Sequence, residues 1–334
     1  MSEWKKSWAV AVVVAATALF GYERYCRHFG FEPSVEETAN AWIDHWNDAI
    51  PGRAVLLGNS RCQAALRPEG LAAMFGGEPP VQLCTVGVSP LSVLDYLVNH
   101  TSFSGTAIVE IVPGVVFVRV TDKWPDLKRH LEEGPVFERF ETKVLLALQS
   151  RLAMLNRQAK PLVRLRGLRG LNPEWLQHQT HAVRRDGVHI LVGHPELTRQ
   201  DFAPEKWPDG LPWPQYIKAD YEKRSSDEEL DQLYGSWRRT IEKLEERGGQ
   251  VIFVRLPVTG TTREAEDKYF PREKYWDQLI RKTGAPGVYY ADHAELQGFE
   301  QPDESHVAKW ESQEFTRRLA AILKPVLRAN SAPR

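Results

Sequence analysis

Cysteine is scarce in this chain. Three occur in 334 residues, Cys26, Cys62 and Cys84, with no C-x-x-C pair and no zinc-type spacing, so a zinc module or a dithiol redox motif is excluded. Excess charge of either sign is also missing. The net charge is -1, which removes nucleic acid as an expected partner. Internal repeats are absent. His181, His189 and His293 have no ligand-like spacing to another His, Asp or Glu, so neither a metal nor a cofactor is expected. Cys26 follows Glu23-Arg24-Tyr25 rather than small residues, which argues against a lipoprotein anchor.

What is present begins at the N-terminus. Residues 8 to 22 carry no charge and follow Lys5 and Lys6. Such a segment is an export signal or a membrane anchor. Ala16-Thr17-Ala18 offers a cleavage site, but an uncleaved anchor is the preferred reading. The two lysines favour the N-terminus inside, with the rest of the chain outside the inner membrane and facing the periplasm or cell exterior.

Beyond the anchor, apolar residues make up 42% of the whole chain, enough for one large α/β domain with insertions or for two small domains. Apolar runs at 53–57, 81–86, 107–112, 250–256 and 288–291 read as core strands. Helices are expected at 34–49, 91–99, 226–247, 274–283 and 311–327, with Trp42, Ile43 and Trp46 on one stripe of the first. Alternation of strand and helix predicts a parallel three-layer sheet. Residues 1–30 form the anchor and juxtamembrane segment. Residues 31–328 form the α/β domain, and regularity fades between 115 and 225, an expected insertion. Within it, 151–170 holds six Arg and Lys and no acid. That stretch is a solvated basic face or a contact to anionic lipid. The eleven tryptophans are expected mainly in the core and at interfaces, with a carbohydrate-stacking role open for exposed ones.

The chemistry concentrates in two short segments. Gly58-Asn59-Ser60-Arg61 follows the first core strand, and Asp303-Glu304-Ser305-His306 precedes the last helix. A serine hydroxyl is a weak nucleophile until a base removes its proton. His306 is the candidate base and Asp303, three residues earlier, the candidate orienting acid. In an open parallel sheet, both loops can reach the edge where ligands bind. Gly87, after the second strand, is a candidate oxyanion donor beside the N–H of Ser60. Arg61, Glu110 and Arg255 lie beside the serine or at strand ends and are candidate substrate contacts. Cys62 and Cys84 follow two consecutive strands. They are a disulfide if the domain is exported, or two buried thiols.

These segments resemble the SGNH (GDSL-like) hydrolase superfamily. More narrowly, the chain is similar to its membrane-anchored bacterial branch, associated with O-acylation of cell-envelope polysaccharides. Gly58-Asn59-Ser60-Arg61 matches the first block, with Asn59 where many members carry Asp. Gly87 in Val86-Gly87-Val88-Ser89-Pro90 matches the second block, and Asp303-Glu304-Ser305-His306-Val307 the last. The resemblance covers about 51–113 and 250–325. It implies a flavodoxin-like sheet with Ser60 as nucleophile and His306 as base. The third block, G-x-N-D, is missing: the matching strand end reads Val109-Glu110-Ile111-Val112-Pro113-Gly114. Its Asn is an oxyanion donor, and losing one such donor typically costs about 10²- to 10³-fold in rate. Two functions follow. One is a serine esterase or O-acyltransferase on acyl esters, commonly acetyl, of cell-envelope polysaccharide, with a polytopic membrane O-acyltransferase as the implied acyl supplier. The other is a non-catalytic binding or assembly factor in polysaccharide modification or export.

Overall fold

The computed structural model describes residues 3–28, 31, 33, 35–36, 39–48, 52–85, 87–119, 122–133, 136–156, 181–183, 189–191, 221–301, 304–308 and 310–330. The first helix, α1 (Glu3–His28), is longer than the uncharged run that predicts it and is long and apolar enough to cross a membrane. Its apolar side chains, Val12 and Phe20 among them, face outward. Among the described residues, only its last turns pack on protein. Glu23 accepts from the N–H groups of Ala153 (3.1 Å) and Met154 (2.8 Å), and Cys26 is buried against Ala153.

Residues expected to open a helix at 34 instead form a short strand, β1 (Val35–Glu36), before α2 (Ala39–Asp48). Pairing supplies the reason. β1 lies antiparallel to β5 (His181–Val183), which pairs with β6 (His189–Leu191). Trp42, Ile43 and Trp46 of α2 are buried as their stripe predicts.

The main sheet uses β2 (Val55–Leu57), β3 (Val81–Gln82), β4 (Thr106–Glu110), β7 (Gln250–Arg255) and β8 (Gly287–Tyr289). All four pairings are parallel. The order is β3-β2-β4-β7-β8. Counted along the chain this is 2-1-3-4-5, the flavodoxin-like order. The middles of β2, β4 and β7 are unbroken apolar runs because both faces are packed. Val55, Leu57, Val109 and Phe253 join one core layer, and Leu56, Ile108, Ile252 and Val254 join the other.

The connecting helices follow local rules. After β2 come α3 (Ser60–Ala65) and α4 (Pro68–Leu71); after β3 comes α5 (Pro90–His100), with Pro90 at its first position, where a missing N–H costs nothing. Between β4 and β7 run α6 (Pro113–Val116), α7 (Trp124–Glu133), α8 (Val136–Gln149), the two strands β5 and β6, and α9 (Asp227–Glu245). Ser226 and Glu229 form a reciprocal capping box at the start of α9. Next come α10 (Gly260–Tyr269) and α11 (Trp276–Thr283), which ends at left-handed Gly284. The chain closes with α12 (Ser312–Asn330), whose Phe315, Leu319 and Leu323 recur every four residues and are fully buried.

This topology fixes where chemistry can occur. The strand order reverses between β2 and β4, and ligands bind outside the carboxyl ends at such a switch point. Ser60 follows β2 there, and Glu110 is the last residue of β4.

Candidate active site

Gly58 and Asn59 carry the chain from β2 into α3, which starts at Ser60. Gly58 has φ +156, and a Cβ there would sit 2.7 Å from both Cβ and Oε2 of Glu110. Glycine is required because the turn rests directly on that carboxylate. Glu110 is 1% exposed. Its Oε2 accepts from the backbone N–H of Asn59 (2.9 Å) and of Cys62 (3.1 Å). It therefore satisfies two N–H groups that the start of α3 leaves without helical partners. Burial pushes the Glu110 carboxyl up from its ordinary range, against the opposing pull of these N–H groups and of Arg61 and Arg255.

Asn59 secures the other side of the turn. Its Oδ1 accepts from Gly87 N–H at 3.1 Å, and its Nδ2 donates to Val88 O at 3.4 Å. An aspartate could keep the first bond but not the second. Gly87 itself has φ +77, and a Cβ there would meet the Lys123 side chain at 3.0 Å. In this arrangement the Gly87 N–H points to Asn59 rather than to an open site, so the oxyanion role expected of it is not provided as the loop stands.

His306 arrives from the far end of the chain. Its Nε2 lies 2.8 Å from Ser60 Oγ. His306 is buried while Ser60 is half-exposed. The hydroxyl can donate to an unprotonated Nε2, the arrangement a general base requires. Asp303 lies outside the described residues.

The segment that carries His306 is held by its neighbours. Glu304 has φ 62, uncommon for a residue with a side chain. Its Oε2 accepts from Thr261 N–H (2.8 Å), Thr261 Oγ1 (2.6 Å) and Thr262 N–H (3.2 Å) at the start of α10, and its carbonyl accepts from Thr259 N–H at 3.0 Å. These bonds offset a backbone cost of about 1–3 kcal/mol. Ser305 is gripped from the nucleophile's side: Arg61 Nε donates to its Oγ at 2.9 Å. Arg61 follows Ser60 and Ser305 precedes His306, so this bond ties the two reactive segments together one residue away from the reactive atoms.

Arg61 belongs to a buried ionic cluster. Its Nη2 donates to Glu266 Oε1 at 2.8 Å, Arg255 Nη2 donates to Glu266 Oε2, and the Tyr221 hydroxyl donates to Glu266 Oε1 at 3.1 Å. Burial alone would raise the Glu266 carboxyl, but Arg255 and Arg61 outweigh it and hold it below its ordinary range. Burial and Glu266 push the Tyr221 phenol up. Arg61, Glu110 and Arg255 are 5%, 1% and 4% exposed. The expected substrate contacts are therefore corrected: all three are buried against protein partners, Glu110 holding the turn, Arg61 bridging to Ser305 and Glu266, and Arg255 pairing with Glu266.

The sequence reading missed Glu266, Tyr221, Glu304, Ser305 and Lys123. Glu304 and Ser305 stand inside the D-E-S-H segment, so adjacency to His306 was an available signal. Glu266 sits among charged residues of α10, and nothing local distinguishes it from a solvated acid. Among the described residues, no group of three His, Cys, Asp or Glu is arranged to hold a metal ion.

No family model matches the chain, and no curated protein matches it. Among solved structures it is similar to the crystal structure of TesA, with a TM-score of 0.35 and 12% identity over 82% of this chain and 99% of that one.

Proposed function

We propose that the chain is a serine esterase or O-acyltransferase of the SGNH type, anchored by α1 and facing the periplasm or cell exterior. Its substrates are acyl esters, acetyl above all, of cell-envelope polysaccharide. One observation carries the catalytic part: the 2.8 Å approach of Ser60 Oγ to His306 Nε2 at the sheet's switch point.

Ser60 Oγ attacks the ester carbonyl carbon while its proton passes to His306 Nε2. The tetrahedral intermediate collapses as the protonated imidazole gives that proton to the leaving alcohol. The acyl group then rests on Ser60 as an ester. His306 next takes a proton from water or from a sugar hydroxyl, which attacks the acyl group and frees Ser60. Asp303 orients the imidazole in this proposal. The Ser60 N–H stabilises the oxyanion, joined by Gly87 N–H if it releases Asn59. A polytopic membrane O-acyltransferase is the proposed acyl supplier.

The second reading, a non-catalytic binding or assembly factor, is favoured by a specific observation. The strand end where the resembled family places an oxyanion Asn carries Glu110, which accepts hydrogen bonds under the turn rather than donating one above it. Rapid-quench assays with p-nitrophenyl acetate separate the two. The enzyme reading expects a burst of p-nitrophenol and an acetylated Ser60 peptide. No burst and no acetyl adduct would leave the binding reading.

A further inference from the structure

Two thiols that the proposed reaction does not use meet beside the nucleophile. Cys62 Sγ and Cys84 Sγ lie 2.6 Å apart, and both side chains are buried. Cys62 is two residues past Ser60, and its N–H is one of the two that Glu110 holds. Cys84 lies just beyond β3, where the chain still follows its neighbour: Leu83 N–H donates to Leu56 O at 2.9 Å and Thr85 N–H to Gly58 O at 3.0 Å. The Gln63 side chain also donates to Cys84 O at 2.5 Å. The backbone on both sides of the pair is thus already fixed. A disulfide of about 2.05 Å needs only a small rotation of the two side chains.

We infer that Cys62 and Cys84 close into a disulfide when the chain folds in an oxidising environment, and that this bond staples the Ser60 turn to the end of β3. Each sulfur gives up a proton, and two electrons pass to a disulfide donor of the oxidised-glutathione class, which leaves as two thiols. One cysteine thiolate first attacks the donor and forms a mixed disulfide. The other then displaces the donor's remaining thiol. Burial and the Cys84 neighbour push the Cys62 thiol well up, so in the folded chain it stays protonated and unreactive. Exchange therefore happens while α3 is still unpacked. Once formed, the bond is shielded from reductant by the same burial. Cys26 takes no part: it is buried against Ala153 at the base of α1.

The staple has a mechanical consequence. Without that link the Ser60 turn is held by hydrogen bonds alone, two to Glu110 and others to Gly87, Val88 and Thr85. A covalent link between α3 and the β3 exit limits how far Ser60 can drift from His306. The same chain would carry a looser nucleophile in a reducing compartment than after export.

The test is a thiol count on the full chain, refolded with oxidised glutathione and then opened in denaturant. One reactive thiol, Cys26, is expected before reduction and three after it, with a cross-linked peptide joining Cys62 to Cys84. The oxidised form should melt about 5–10 °C higher than the reduced one. Cys84→Ala should give two reactive thiols with or without oxidant. Three reactive thiols after oxidative refolding of the wild type, or a cross-link through Cys26, overturns the inference. The thiol count does not depend on Ser60 chemistry, so this inference and the esterase reading fail separately. A further readout does depend on it: reductant during refolding should slow Ser60 acylation in the wild type and leave Cys84→Ala unchanged.

Discussion

Replacing Glu110 with alanine tests whether the carboxylate under the turn is what presents Ser60. Its Oε2 is the acceptor for two backbone N–H groups, at 2.9 and 3.1 Å. Alanine leaves both donors without that partner in a buried site, and each unsatisfied group costs about 1–3 kcal/mol. The gross loss is then roughly 2–6 kcal/mol. Part of it is recovered, because the wild type buries a carboxylate whose Oε1 has no hydrogen-bond partner. A net loss of about 3 kcal/mol is expected. Glu110→Gln keeps a carbonyl oxygen in the same place and should lose less than about 1.5 kcal/mol. Urea unfolding followed by tryptophan fluorescence measures both. The kinetic effect should be parallel, since a 1 Å displacement of a reacting group can cost about 10²-fold. The acylation rate of Ser60 should fall at least tenfold in the alanine variant and stay within about threefold of wild type in the glutamine variant. An alanine variant with wild-type stability and wild-type acylation would refute the support assigned to Glu110.

Further outcomes follow from the same contacts. Ser305→Ala removes the acceptor of Arg61 Nε and should cost about 1.5–3 kcal/mol, with a larger drop in kcat than in substrate affinity, because His306 loses its tie to the serine side. Gly260→Ala would place a Cβ 2.1 Å from Glu304 Oε1 at a residue with φ +53; it should displace the His306 segment, lower acylation, and show faster hydrogen exchange at 304–308. The two buried glutamates should give opposite pH slopes. Glu266, held low by its arginines, adds stability above pH 4.5 that is lost as pH falls through its folded value. Glu110, held high by burial, adds stability that is full below pH 4.5 and lost as pH rises through its folded value. Unfolding free energies across this range should therefore lose the acid-side decline in Glu266→Gln and the loss on raising pH in Glu110→Gln.

The sheet was legible because β2, β4 and β7 are built on short apolar runs, Val55–Leu57, 107–109 and 251–254, with Gly or Pro close by, and such runs have few alternatives once helices separate them. The switch-point position of Ser60 follows from that order. The helix expected at 226–247 matches α9 (Asp227–Glu245) within two residues at each end. Other features depend on distant contacts. Val35–Glu36 became a strand because β5 lies beside it, which nothing near residue 35 announces. The largest gap lies beneath the turn. Arg61 beside the serine, and Glu110 and Arg255 at strand ends, suggest substrate contacts from the sequence alone. Arg61 and Arg255 are buried against Glu266 of α10, and Glu110 against the N–H groups of Asn59 and Cys62. A buried acid inside a charged helix looks like any solvated one until the packing is known.

The central claim is that Ser60 is a nucleophile activated by His306. Labelling the full chain in detergent with a fluorophosphonate probe, followed by peptide mapping, tests it most directly. The account predicts one phosphonylated residue, Ser60, no adduct in Ser60→Ala, and labelling at least about 10³-fold slower in His306→Ala. Wild-type protein that takes up no probe, or takes it up equally well without the Ser60 hydroxyl, would contradict it.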